Sequence, residues 1–204
     1  MMQTDVLQSP TSHVTAASRA KLHGHRGAVL WLTGLSGSGK TTLAHAVEMR
    51  LHHERYRTYV LDGDLLRGGL NVDLGFSDED RSENIRRAGE LAKLFLDAGT
   101  IVFCAFISPF ASDRQSVRAQ IGADTFFEVY CRCPLEVCEQ RDVKGLYQRV
   151  RDGTLAQFTG ISSSYEPPSC PDVVIDTDRT SVPAAVDQVM ALLRDRGLLR
   201  LTAL

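Results

Sequence analysis

Residues Gly34, Leu35, Ser36, Gly37, Ser38, Gly39, Lys40 and Thr41 follow the order G-x-x-x-x-G-K-[ST], with Thr42 directly after them. Residues of these types at this spacing can cradle a polyphosphate. The glycines permit a tight loop whose backbone N–H groups turn inward on an anion. A helix starting there adds the positive end of its dipole. Lys40 has the reach for β- and γ-phosphate oxygens, and the Thr41 hydroxyl suits Mg²⁺. The competing reading is a Gly-rich turn matching by chance. Context decides against it: the apolar run Ala28-Val29-Leu30-Trp31-Leu32 reads as a buried strand before the loop, and a helical pattern from Thr42 to His53 follows.

A second cluster is Leu61-Asp62-Gly63-Asp64, at the end of an apolar run. In an open α/β sheet, ligands bind at the carboxyl ends of strands, so both carboxylates would face the phosphates. One could organise the water shell of Mg²⁺ and the other orient or deprotonate an attacking hydroxyl. The alternative is an Asp-Gly turn chosen for backbone geometry. The run Thr100–Ile107 ends in Ser108-Pro109 without an acid, which makes Asp62 and Asp64 the better metal-site candidates. A third cluster joins Arg67, Phe76, Arg81 and Asn84. Arginine suits forked contacts with phosphate or sulfate, and phenylalanine suits stacking on a base. Arg86 and Arg87 fall on other helix faces, solvated or paired with acids. A fourth is the stretch from Arg141 and Asp142 through Lys144, Leu146 and Phe158, either a lid or a solvated loop.

The elements that must position these residues alternate. Strands are predicted at Val29–Thr33, Thr58–Leu61, Thr100–Ile107, Phe126–Cys131 and Val173–Asp176, and helices at Lys40–His53, Asp78–Ala98, Ser112–Ile121, Pro134–Gln140 and Val182–Arg196. Short apolar strands separated by helices predict an α/β fold: a parallel sheet with helices on both faces and a mobile lid at about 141–168. Residues 1–26 read as a flexible or loosely docked tail, and 27–204 as a single domain.

A net charge of −2 gives no support to nucleic acid or an anionic membrane as the partner. No apolar run has the length of a membrane span, and no signal peptide is read at the start. Five cysteines without a C-x-x-C pair argue against a disulfide framework or a zinc site, and a reducing cytoplasm fits.

The loop Gly34–Thr42 and the Leu61–Asp64 turn are followed by Gly69-Leu70-Asn71, Asp73-Leu74-Gly75-Phe76-Ser77 and Glu83-Asn84-Ile85-Arg86-Arg87. Phe106-Ile107-Ser108-Pro109, Pro134-Leu135-Glu136-Val137-Cys138, Lys144-Gly145-Leu146-Tyr147 and Phe158-Thr159-Gly160 come after them. This ordered series, from about Ala28 to Asp178, resembles the adenylyl-sulfate kinases. The resemblance implies transfer of the γ-phosphoryl of ATP, with Mg²⁺, to the 3′-hydroxyl of adenosine 5′-phosphosulfate.

It implies further that Gly34 to Thr42 hold ATP, that Asp62 assists the acceptor hydroxyl, and that Asp64 lies with Thr41 near the metal. Arg67, Arg81 and Asn84 would bind the phosphosulfate substrate. Phe76 and Phe158 would sandwich its adenine. Ile107, Ser108, Lys144 and Leu146 would line its pocket, and Arg141 would open the lid over ATP. In some members the serine matching Ser108 has been described as a phosphoserine intermediate; direct transfer needs only a pocket role for it. A homodimer is implied too, while association with ATP sulfurylase is left open by the sequence.

Two departures are visible. Leu65 stands where the family often has Asn, and Ser162-Ser163-Ser164-Tyr165 replaces an Asp-Ser-Pro-Tyr type of run. Two alternatives differ in class: a P-loop kinase for another small acceptor, and a catalytically silent regulatory module. Retention of Lys40, Thr41, Asp62 and Asp64 weighs against the second.

Overall fold

The computed structural model describes residues 13–155 and 157–199. The Thr15 hydroxyl and Ser18 form a capping box that starts helix α1 (Ala16–His23). This helix lies within the stretch expected to be a tail. It buries no residue of its own, so apolar periodicity gave no sign of it. Its end meets the turn after the fourth helix, where a Cβ on Gly99 would come 2.8 Å from His23 Nδ1.

The remaining elements alternate: β1 (Ala28–Thr33), α2 (Lys40–His53), β2 (Thr58–Asp62), α3 (Gly63–Arg67), α4 (Asp78–Asp97), β3 (Ile101–Ala105), α5 (Ala111–Ile121), β4 (Phe126–Arg132), α6 (Leu135–Arg141), α7 (Leu146–Arg151), β5 (Val173–Asp176) and α8 (Val182–Asp195). The strands pair in parallel in the order β2-β3-β1-β4-β5. The register sets Trp31 between Cys104 and Glu128, and Asp62 opposite Ala105.

All six residues of β1 are buried, as expected for a central parallel strand covered on both faces. Side chains of a strand alternate between faces. Leu30 and Leu32 join Leu43, Val47 and Leu51 of α2 and Val189 and Leu193 of α8. Val29 and Trp31 join Ile85, Ala88 and Ala92 of α4 and Val117 of α5. Helix α4 begins at Ser77, whose Oγ accepts from Asp80 N at 3.1 Å, and its first turn carries Asp78, Glu79 and Asp80 at the positive dipole end. Gly89 lets α4 approach α5; a Cβ there would lie 2.9 Å from Val117 Cγ2.

Two short helices were not anticipated. In α3 the Asp62 carboxylate accepts from Asp64 N at 2.9 Å, so the acid that ends β2 also caps the helix. In α7 the N-cap Gly145 has no side chain, and Asp142 substitutes by accepting from Tyr147 N at 3.1 Å and Gln148 N at 3.0 Å. A third, smaller core joins Cys133 and Cys138 to Tyr147 and Phe158 of the segment expected to be the lid.

Candidate active site

The carboxyl ends of β1, β2, β3 and β5 carry the site. After β1 the chain enters the phosphate loop. Gly34 has φ 147°, and a Cβ there would sit 2.5 Å from Cys131 O. Only glycine fits that approach to the neighbouring strand. Gly39, with φ 87°, starts α2 with no side-chain cap, so the first N–H groups of α2 are left for an anion. The buried Ser38 Oγ has no hydrogen-bond partner among the described residues.

Lys40 is buried and donates Nζ to Gly34 O at 2.9 Å and Leu35 O at 2.7 Å. These contacts hold the ammonium against its own loop. Burial lowers its pKa from 10.5 to about 8.

At the end of β2, Thr41 Oγ1 donates to Asp62 Oδ2 at 2.7 Å. The hydroxyl hydrogen is directed at the carboxylate, which leaves the Thr41 oxygen lone pairs for a hard cation. Asp64 is more exposed and pairs with Lys144 from the far side of the cleft. The two acids thus differ: Asp62 meets the phosphate-loop threonine and Asp64 meets Lys144 of the segment expected to be a lid. Asp62 also satisfies the turn reading, because it caps α3 with its other oxygen.

The other half of the cleft is cationic and aromatic. The Arg67 guanidinium lies 4.3 Å over the Phe76 ring and donates to Gly75 O at 2.8 Å. Arg81 is buried; Nε donates to Phe76 O at 3.0 Å, Nη1 to Thr159 Oγ1 at 2.8 Å, and Nη2 to Gln157 O. It therefore ties the start of α4 to the 157–159 segment. Neither arginine has a carboxylate within salt-bridge distance among the described residues. Burial lowers the pKa of both, and for Arg81 the neighbouring Arg67 charge adds to the effect. Two partly desolvated, unneutralised cations side by side make a site that favours an anion. Arg86 and Arg87 instead pair with Glu83, and Arg87 also with Asp73, on the outer face of α4.

Asn84 is buried and its Oδ1 accepts from Asn71 Nδ2 at 2.9 Å. Phe76 is 51% exposed whereas Phe158 is 7% exposed, with Tyr147 edge-on to Phe158 at 4.9 Å. Ser108 is buried with φ 42°, and its Oγ accepts from Trp31 Nε1 at 3.1 Å. Arg141 bridges Thr177 O (2.7 Å) and Gly37 O (3.3 Å), and so lies against the phosphate loop.

One cleft of about 730 Å³ collects these groups. Ser36, Gly37, Gly39, Lys40, Thr41 and Thr42 line it with Asp62, Asp64, Arg67, Phe76, Arg81, Asn84, Ile107, Ser108, Arg141, Lys144, Leu146 and Phe158. Gly34, Leu35 and Ser38 shape the same loop without lining the cleft. Tyr147, to which the sequence reading gave no role, donates its hydroxyl to Ser36 O at 2.9 Å and joins α7 to the phosphate loop. Its place in the Lys144–Tyr147 run was the available signal. Among the described residues no group of three or more His, Cys, Asp or Glu could hold a metal, and no helix is long and apolar enough to cross a membrane.

The family described as adenylylsulphate kinase matches residues 26–176. An adenylyl-sulfate kinase of Geotalea daltonii is 56% identical over 186 residues, covering 91% of this chain and 92% of the relative. A probable adenylyl-sulfate kinase of Bacillus subtilis is 52% identical over 186 residues, covering 91% and 94%. The structure of the Mycobacterium tuberculosis APS kinase CysC in complex with AMPPNP and APS is similar with a TM-score of 0.78 and 47% identity, covering 83% of this chain and 99% of that one. With a phosphate loop, an acid pair and an uncompensated arginine pair in one cleft, and with these relatives along most of its length, the chain belongs to the adenylylsulphate kinase family.

Proposed function

We propose that the chain transfers the γ-phosphoryl group of ATP to the 3′-hydroxyl of adenosine 5′-phosphosulfate, giving 3′-phosphoadenosine 5′-phosphosulfate and ADP. The observation that carries this reading is the division of one cleft into two anion sites. The phosphate loop with Lys40 forms one, and Arg67 with Arg81 beside the exposed Phe76 forms the other. The complex of the Mycobacterium tuberculosis CysC with AMPPNP and APS supports the same pairing of ligands. Phosphoryl transfer asks chiefly for alignment and charge neutralisation, which such a cleft supplies. The test is acceptor dependence: ADP release in ATP and Mg²⁺ should require adenosine 5′-phosphosulfate. Release independent of that acceptor would overturn the reading.

In this reading Lys40 leaves its loop carbonyls for the β- and γ-phosphates, and Arg141 covers the nucleotide. Asp62 accepts the proton of the 3′-hydroxyl. Thr41 Oγ, its hydroxyl hydrogen-bonded to the Asp62 carboxylate, and Asp64 would hold Mg²⁺ directly or through water; the oxygen-only donor set fits that hard cation. Bound there, Mg²⁺ supplies charge neutralisation on the phosphate oxygens. Ser108 lines the pocket, its Oγ engaged by Trp31, and direct transfer requires no covalent step from it.

The segment at about 141–168 acts as the lid, with Lys144 moving from Asp64 toward the acceptor and Leu146 closing on it. A homodimer is carried over from the family resemblance and a cytoplasmic location from the cysteine usage; association with ATP sulfurylase is left open.

Two results should follow. Phe158→Ala should raise the acceptor KM about tenfold while moving the ATP KM less than about threefold, since stacking on a base contributes on the order of 1–3 kcal/mol. Equal loss of both affinities would misplace the stacking role. The second concerns pH. Lys40 must be charged to bind phosphate, and in the free chain it loses its proton as pH rises through about 8. A bound triphosphate opposes that loss. ATP affinity should therefore hold level below the Lys40 pKa and fall by up to about tenfold per pH unit above it. Calorimetry in buffers of different ionisation enthalpy should register proton uptake on binding in that range; a flat affinity would contradict the assignment.

A further inference from the structure

Residues Ile107, Ser108 and Pro109 form the turn after β3, and each of their carbonyls is held by a different group. Thr33 Oγ1 donates to Ile107 O at 2.7 Å. Arg114 Nη1 donates to Ser108 O at 2.6 Å. Glu166 N donates to Pro109 O at 2.9 Å. Ser108 is a non-glycine residue in the left-handed region, a conformation that persists only where its surroundings over-determine it.

Arg114 is the centre of that determination. It is 3% exposed, on α5. Its Nε donates to Glu128 Oε1 at 2.8 Å, which neutralises the buried charge. Its Nη2 donates to Glu166 O at 2.7 Å. One planar guanidinium therefore joins β4, the 107–109 turn and the trailing end of the segment read as the lid. Glu166 returns the connection: its carboxylate accepts from Ala111 N at 2.7 Å, at a helix start where the N-cap Phe110 offers no side-chain acceptor. Tyr165 adds a further tie, its hydroxyl 3.0 Å from Thr33 Oγ1.

We infer that Arg114 is a positioning residue for the acceptor half of the site: it fixes the Ser108 turn and welds it to residues 165–166, so that the trailing end of the segment read as the lid is anchored to the acceptor pocket. The inference rests on the functional reading above, in which Ile107 and Ser108 line the acceptor pocket. Arg114 lines no part of the main cleft, so it acts through the turn and touches no substrate.

The test is steady-state kinetics with both substrates varied, beside thermal unfolding, for wild type, Arg114→Lys and Glu166→Ala. Lysine keeps the charge for Glu128 but lacks the planar fork that reaches three oxygens at once. Arg114→Lys should raise the acceptor KM about tenfold and leave the ATP KM within about twofold. Glu166→Ala, an exposed change, should raise the acceptor KM about threefold with the same asymmetry. An Arg114→Lys protein of lowered Tm and unaltered acceptor KM would overturn the inference alone, leaving Arg114 a structural residue. If that variant does not fold, Glu128→Gln, which removes the charge that holds Arg114 in place and is measured in the same way, decides: an acceptor KM equal to wild type overturns the inference, and a selective rise supports it. Wild-type turnover without dependence on adenosine 5′-phosphosulfate would overturn the functional reading, and this inference with it.

Discussion

Replacing Lys40 by alanine is expected to lower turnover by about a thousandfold or more, because the variant removes a preorganised cation from the point where charge moves in the transition state. The geometry makes that cation specific. Lys40 is held within its own loop by Gly34 O and Leu35 O, so its Nζ stands at the loop before any nucleotide arrives. The variant should still fold. Alanine removes a buried ammonium whose charged form is disfavoured by desolvation, and the strands and helices around the loop are packed by apolar residues that do not include it. Turnover beside a thermal melt separates the two effects. A near-normal rate in a folded Lys40→Ala protein would contradict the phosphoryl-transfer assignment.

Asp62→Asn is the second large effect expected, a fall in kcat of about 10²–10⁴-fold with both KM values little changed, the range associated with loss of a positioned base. The substitution is close to isosteric. Asparagine caps helices as well as aspartate does, so α3 should keep its start. What is lost is the charge that accepts a hydroxyl proton. Asp64 provides the contrast. It is 67% exposed and paired with Lys144, so Asp64→Asn should cost less, through metal binding more than through kcat. A larger kcat loss for Asp64→Asn than for Asp62→Asn would exchange the two roles.

The contrast between these acids also marks how far the sequence could be read. The phosphate loop was legible because its chemistry is local: loop, lysine, threonine and helix start are contiguous. The sheet was legible because parallel strands covered on both faces read as short apolar runs, and the observed strands differ from the expected ones by a residue or two at their ends. Helices α3 and α7 escaped because five or six residues cannot display a period of 3.6, and their caps, Asp62 and Asp142, resemble turn or lid residues in sequence. Helix α1 escaped because it has no buried face.

The site was legible residue by residue where motifs exist, yet the couplings within it were not. That Arg81 reaches Thr159 and that Arg114 reaches both Ser108 and Glu166 are facts of long-range topology. No spacing along the chain encodes them, and the sequence reading gave Arg114 no role.

The most direct measurement is a single-turnover reaction of the purified chain with γ-³²P-labelled ATP and adenosine 5′-phosphosulfate, with the position of the label in the product determined by mass and nuclease digestion. Label is expected on the 3′-oxygen of adenosine 5′-phosphosulfate, with equimolar ADP and no transfer when the 3′-hydroxyl is replaced by hydrogen. Label elsewhere, or undiminished transfer to the 3′-deoxy analogue, would contradict that expectation.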